Sequence, residues 1–487
     1  MKQFKFLLFT PLFTLILFSA IAQTPSTPPD KNLIQNRNDF YNTYWTDPQQ
    51  ALIHAQAIAS NKESKWFLRD MLHSEIYSVF HYKTENYYKE EAIKKGSYNS
   101  DTWKQEYDVF LEKPYQTLVL LESDSNLLLS NSARPILYWV NIIRGDLDNL
   151  ELKKLVNDFT STQLSQDDIF YNSAGLYALL IYEFVSNNQN IEPDAERLLT
   201  AVLNKLQCPQ EVKNTNSASH FTLYKRAWYR YLYAYANHLK ANKLLKIGKE
   251  KDAYKYQKVA FEFTPDIADQ RFSYAYLFEK FILFEGEDDS LVKDYLNNSE
   301  KNPEVILDDL SKIALKKPIV YKDSLKTFYE NTFPKDENFQ SFWNRLVNSD
   351  MEVCPPFEFE SMDGITTVPP HFKGKWLLVE FWGTWCGLCR EKHPELQAFF
   401  EYTEFELSDK IQVLSFACND TEEKVKSYMT KFNYTFPVSI SDGSVEKKFN
   451  IKGYPTILLI SPEGNYLNIP ISSNYWIDFV KQYASLE

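Results

Sequence analysis

Glycine is spread unevenly along this 487-residue chain, and that unevenness splits the fold in two. Of the 12 glycines, only Gly96, Gly145, Gly175, Gly248 and Gly286 precede residue 350. Gly364, Gly374, Gly383, Gly387, Gly443, Gly453 and Gly464 crowd into the remainder. Tight turns between short strands and helices draw on glycine for its backbone freedom, while packed helices do without it. The expectation is an α + α/β chain: a helical domain over 31–347, then an α/β domain over 348–487. The junction belongs between residues 346 and 356, where Asn348-Ser349-Asp350 precedes Cys354-Pro355-Pro356.

Helix signals support the first part. Asp47-Pro48 reads as an N-cap followed by a first-turn proline, and long apolar stripes run from Phe170 to Phe184 and from Ala227 to Leu245. An aromatic stripe at helical spacing reads as core before it reads as a ligand site. One stretch, within 234–267, is more specific. Leu244-Leu245-Lys246-Ile247-Gly248, then Ala253, Ala260 and Pro265, resembles a single tetratricopeptide repeat, with small residues where two helices pack closely. A lone helical hairpin explains the same residues, because neighbouring segments lack that spacing. Either form suits a protein-binding surface or a dimer contact. His54, His73, His81, His220 and His238 make no metal-binding pair and no helical H-E-x-x-H motif.

Past residue 356 short strands and helices alternate. Strands are expected at Trp376–Phe381, Ile411–Ala417, Phe436–Ile440, Thr456–Ile460 and Tyr466–Pro470. Helices are expected at Cys386–Phe405, Thr421–Phe432, Val445–Phe449 and Asn474–Tyr483. Such alternation implies a sheet covered by helices, whose sites lie at the carboxyl edges of the strands. At that edge stands Trp385-Cys386-Gly387-Leu388-Cys389. Two residues between the sulfurs place both on the first turn of one helix, where a disulfide closes and reopens with little backbone movement.

A C-x-x-C pair also serves haem attachment and zinc. Haem attachment needs His directly after the second Cys, and Arg390 is there instead, with His393 too far along. Structural zinc calls for a second pair of ligands, yet Cys208, Cys354 and Cys418 are scattered singly. Cys354 and Cys418 could pair with each other or stay as two small buried hydrophobes, and the sequence leaves that open.

Residues 1–22 have the form of a secretory signal peptide: Lys2 and Lys5, an apolar core from Phe6 to Phe18, and a small-x-small pattern at Ala20-Ile21-Ala22. An uncleaved anchor is the alternative, but Pro11 interrupts the core, which is shorter than the roughly 20 residues a bilayer requires. A proline-rich leader, 23–30, follows. The expected location is outside the cytoplasm, in a bacterial periplasm, with no stable membrane span after cleavage. Net charge is −12, or −14 without Lys2 and Lys5, and no basic patch offers a nucleic-acid surface. Export permits disulfides, but five cysteines are too few to staple so long a chain, so reactivity explains the pair better.

Val379-Glu380-Phe381-Trp382-Gly383-Thr384-Trp385-Cys386-Gly387-Leu388-Cys389 and Ile451-Lys452-Gly453-Tyr454-Pro455-Thr456 resemble the two signatures of the thioredoxin superfamily. The extra strand and helix between 411 and 432 resemble its exported TlpA/ResA-like branch. The likeness covers residues 350–487 and implies a thioredoxin-like α/β domain with thiol-disulfide oxidoreductase activity. Cys386 is then the attacking thiolate, helped by the helix dipole, and Cys389 the buried resolving thiol. Glu380, six residues before Cys386 in an apolar strand, takes the place of a proton-relaying carboxyl; a solvent-facing carboxylate or a lysine partner is the other reading. Pro455 is a cis-proline facing the cysteines, leaving the backbone of Tyr454 free for an extended substrate. Trp385 shields that substrate-binding edge.

The implied cofactor is none beyond the redox-active Cys386–Cys389 disulfide, with no metal. Implied partners are disulfide-containing or dithiol proteins and an upstream electron donor or acceptor. Leu388 stands where proline is common in the family, so the direction of electron flow stays open. A partner-binding protein built on a thioredoxin-like scaffold is the alternative function. Thiol peroxidase is disfavoured, because Gly383 and Val379 occupy the positions where peroxiredoxins need Thr and Pro.

Overall fold

Several helices begin where the sequence supplies a capping side chain. The Asp47 carboxylate accepts the Gln50 amide at 3.2 Å, and Pro48 opens the Pro48–Ala59 helix. Asp148 and Glu151 form a reciprocal capping box at the start of the Asn149–Thr162 helix. The structure, a computed structural model, describes residues 31–61, 64–76, 79–80, 82–145, 147–207, 220–270, 290–297, 302–334, 337–368, 374–451, 453–470 and 475–486. The signal segment, the leader and Cys208 lie outside them. Among the described residues no strand precedes Glu352.

The apolar stripe at 170–184 becomes the Ala174–Val185 helix, buried around nearly its whole circumference. It starts later than the stripe because Asn172 accepts the Ala174 amide and Ser173 takes a left-handed φ of 53°, which turns the chain first. The second stripe lies in the 27-residue His220–Lys246 helix. That helix turns back through Gly248, at φ +72°, into Glu250–Glu262, with Ala253 and Ala260 buried between them. The left-handed turn is one a side chain rarely adopts, which accounts for the glycine.

A six-stranded mixed sheet follows, with strand order β1-β8-β7-β4-β5-β6. Its strands are β1 (Glu352–Val353), β4 (Trp376–Trp382), β5 (Ile411–Ala417), β6 (Val438–Ile440), β7 (Thr456–Ile460) and β8 (Asn465–Asn468). A separate two-stranded ribbon pairs β2 (Phe359–Glu360) with β3 (Thr367–Val368). β4 lies parallel to β5 and antiparallel to β7, and all seven of its residues are buried. The strands and helices read from the sequence fall within a few residues of those observed. β1, β2 and β3 were not foreseen, because two residues at an edge carry no period.

Side chains alternate along β4, as the pleat requires. Leu377, Val379 and Phe381 enter one core with Phe357, Phe416 and Phe449. Trp376, Leu378 and Trp382 enter the other, with Cys386, Cys389 and the helices that cover that face. This second core extends back through Trp343, Tyr329 and Ile313 to Phe261, whereas the first helical core runs from Phe40 to Ala236. The helices Pro303–Lys316, Pro318–Thr332 and Phe339–Asp350 thus pack with the sheet, although the sequence reading placed them, up to residue 347, in the helical domain. Glycine content reports turn density; it carries no information about which core an amphipathic helix joins.

Candidate active site

β4 delivers the chain at its carboxyl end into Gly383-Thr384-Trp385, after which Cys386 caps the Gly387–Glu406 helix. The Cys389 amide donates to Cys386 Sγ at 3.2 Å, so that sulfur sits at the positive end of the helix. Cys386 and Cys389 are joined in a disulfide with a Cα–Cα distance of 5.3 Å. Cys386 is 7% exposed and Cys389 is fully buried, so only the first sulfur has an approach from solvent.

The loop before the cysteines is clamped by the loop after β5. The Thr384 amide donates to Asp420 Oδ2 at 2.6 Å, and Trp385 Nε1 donates to the Cys418 carbonyl at 3.1 Å. Asn419 between them has φ 52°, a conformation asparagine tolerates better than most residues. Gly383 is required by close approach: a Cβ there would lie 2.4 Å from Trp385 Nε1 and 2.7 Å from Cε2. Asp420 escaped the sequence reading. The register that sets Trp382 beside Ala417 brings it to the site, and no local motif signals that.

Trp385, 52% exposed, stands edge-on to the Tyr454 ring at 5.4 Å. The Tyr454–Pro455 peptide is cis. These residues set an aromatic ledge beside Cys386. Burial pushes the Tyr454 phenol up, so it remains a hydroxyl.

Glu380 faces inward from β4, between Ser415 of β5 and Ile457 of β7, and is 1% exposed. Its neighbour is neither solvent nor lysine. His393, fully buried one helical turn after Cys389, places Nε2 3.4 Å from Glu380 Oε2. Its Nδ1 lies 3.0 Å from the Tyr428 hydroxyl, and Trp382 packs edge-on against the imidazole at 4.5 Å. Neither carboxyl oxygen of Glu380 makes a hydrogen bond to a described residue. In the sequence alone, His393 bears only on haem attachment, which its position excludes. Its i+4 spacing from Cys389 was the available signal, since it puts both on one helix face.

Cys354 and Cys418 are unpaired. Burial pushes the Cys354 thiol up to about 12, and burial together with Glu446 pushes the Cys418 thiol further up, so both stay protonated. Among the described residues no cluster of His, Cys, Asp and Glu is placed to hold a metal ion.

A helix-opening C-x-x-C disulfide at the end of a central parallel strand, flanked by a cis X-Pro segment, defines a thioredoxin-like thiol-disulfide site. Residues 351–466 match the AhpC/TSA family; this part of the chain is a thioredoxin-like domain homologous to the ResA/TlpA thiol-disulfide oxidoreductases. The chain is 26% identical over 125 residues to the thioredoxin-like protein YneN of Bacillus subtilis, covering 25% of this chain and 71% of that protein. It is 26% identical over 146 residues to the thiol-disulfide oxidoreductase ResA of Bacillus thuringiensis, covering 29% and 75%. Among solved structures it is similar to a thioredoxin-family thiol:disulfide interchange protein from Chlorobium tepidum, at 25% identity and TM-score 0.24, covering 28% of this chain and 96% of that one. The Cys386–Cys389 pair and the similarity to the thiol-disulfide oxidoreductase relatives make the chemistry of the domain thiol-disulfide oxidoreduction.

Proposed function

We propose that this protein is exported and reduces or isomerises disulfides in other proteins through Cys386 and Cys389. The observation that carries the reading is the asymmetry of the pair. Cys386 is reachable at a helix N-terminus, and Cys389 is wholly enclosed behind it.

In the reducing direction, the Cys386 thiolate attacks one sulfur of a substrate disulfide. A mixed disulfide forms, and the other substrate sulfur leaves as a thiolate that takes up a proton. Cys389 then loses its proton to Glu380 and attacks Cys386 Sγ. The Cys386–Cys389 bond forms, and the second substrate sulfur leaves. Two electrons pass to the substrate, and an upstream dithiol protein restores them. The ledge of Trp385, Tyr454 and Pro455 receives the extended segment around the substrate disulfide. Residues 1–22 direct export to the periplasm.

Cys386→Ser abolishes insulin disulfide reduction, and Cys389→Ser accumulates a mixed disulfide with substrate. Full activity in Cys386→Ser refutes the assignment. Cell fractionation with amino-terminal sequencing of the mature chain tests export, and a cytoplasmic chain retaining residues 1–22 contradicts it.

A further inference from the structure

Glu380 has a buried titratable neighbour in His393, and the pair stands without the hydrogen bonds that a structural contact would supply. A buried carboxyl with both oxygens lacking a hydrogen bond is costly, and so is an imidazole nitrogen in the same condition. Glu380 Oε1 and Oε2 and His393 Nε2 are all in that condition, although Nε2 and Oε2 lie 3.4 Å apart. A proton held between Nε2 and Oε2 satisfies that pair of atoms, whichever of the two residues carries it. With Glu380 1% exposed, a proton reaching that carboxyl also needs a route out.

We propose that His393 is a positioning residue and proton partner for Glu380, and that Glu380, His393 and Tyr428 form one buried conduit between Cys389 and solvent. The inference rests on Glu380 serving as base for Cys389. Imidazole suits the middle position because it accepts a proton at one nitrogen while releasing one from the other. Nε2 points to Glu380, and Nδ1 meets the Tyr428 hydroxyl at 3.0 Å. Tyr428 is half-buried on the Glu422–Phe432 helix and forms the outer end. Burial and the nearby Tyr434 push its phenol up, so it stays a hydroxyl able to accept and donate.

The titratable groups around the imidazole come from three elements. They are Glu380 from β4, Tyr428 from its helix, and Tyr434 just beyond that helix, in ring contact with His393. Cys389 lies one turn back on the histidine's own helix, and the exposed Arg390 acts on Tyr428. In the resolving step the Cys389 proton goes to Glu380, from Glu380 to Nε2, and the Nδ1 proton passes to the Tyr428 oxygen as that hydroxyl releases its own to water. No electrons move along the conduit. It runs in reverse when the disulfide is reduced.

Reduced protein mixed with 5,5′-dithiobis(2-nitrobenzoate) releases one thionitrobenzoate when Cys386 attacks and a second when Cys389 resolves the mixed disulfide; release by Cys208, Cys354 and Cys418 is measured in the Cys386→Ser/Cys389→Ser chain and subtracted, so that the second phase reads this step. Across pH 5–9, His393→Phe is expected to slow the second phase about 10-fold at neutral pH and displace its pH midpoint. Tyr428→Phe slows it about 3-fold, and both leave the first phase within 2-fold. Glu380→Gln slowing the second phase while His393→Phe keeps the wild-type profile overturns this proposal and spares the role of Glu380. If Glu380→Gln is also without effect, the reading of Glu380 fails with it. Should His393→Phe not fold, imidazole ¹⁵N shifts of His393 in the wild-type chain decide. A titration whose midpoint differs between oxidised and reduced protein supports the conduit; shifts flat over pH 5–9 in both states overturn it.

Discussion

Trp343 Nε1 donates a 2.9 Å hydrogen bond to the carbonyl of Tyr483, and the two rings meet edge-on at 6.1 Å. One residue lies on the Phe339–Asp350 helix, the other on the closing Trp476–Tyr483 helix, and both are fully buried. Nearby, Lys322 Nζ bonds the Gln482 carbonyl at 2.5 Å and Ser485 Oγ at 2.7 Å while lying over the Trp343 ring. Helices outside the family match thus complete the core of the redox domain.

Trp343→Ala should therefore destabilise the redox domain. A buried tryptophan exchanged for alanine costs about 3–5 kcal/mol, and urea denaturation followed at the redox domain reads it directly. A fragment of 351–487 should unfold at lower urea than one of 302–487. Equal midpoints for the two fragments would show that the helices contribute nothing to this core.

Trp385→Ala removes an exposed aromatic from the ledge without touching the sulfurs. Activity on a protein disulfide should fall roughly 5–10-fold, on the order of 1 kcal/mol of aromatic contact. Activity on a small aromatic disulfide should hold within about 2-fold by the same scale. Comparing kcat/KM on the two substrates checks this, and parallel losses would place Trp385 in loop support instead.

Asp420 holds the Thr384 amide with one oxygen and the Thr421 amide, at 3.0 Å, with the other. Asp420→Ala leaves the Thr384 amide without that acceptor, at a cost of about 1–2 kcal/mol. A several-fold loss in disulfide reduction is expected, with Asp420→Asn recovering most of it. Gly383→Ala should disturb the same loop by pushing on the indole, which tryptophan fluorescence would report.

In the helical region, burial raises the Glu183 carboxyl to about 7, against a smaller opposing effect of the hydrogen bond from the Tyr235 hydroxyl. A carboxyl whose folded pKa is raised contributes stability that is present below its ordinary value of 4.5 and lost as pH rises through about 7. Glu183→Gln should therefore raise the melting temperature at pH 8 and lose that advantage by pH 4.5. Calorimetry across this window is the check. An advantage that grew on acidification would contradict it.

Much of the site is legible in one dimension because its parts are local. Val379 to Cys389 supplies a buried strand, a turn and a helix cap in sequence order, and Tyr454-Pro455 forms a second short signature. Glu380 is conspicuous because a charge in a buried strand demands a reason. His393 and Asp420 are ordinary residues in ordinary segments. They become part of the site only when strand pairing brings β5 beside β4, and when the cysteine helix lies across the sheet.

The same division holds for the whole protein. Period, capping and glycine content marked a helical part, an α/β part and the succession of the main strands along the chain, and the C-x-x-C spacing marked the reactive pair, because each depends on residues near one another in the chain. Tertiary structure alone decided that helices preceding the sheet belong to the redox core, that Cys354 and Cys418 stay apart, and that Glu380 faces a histidine. Those outcomes depend on which buried surfaces meet, and burial couples residues without regard to their separation along the chain.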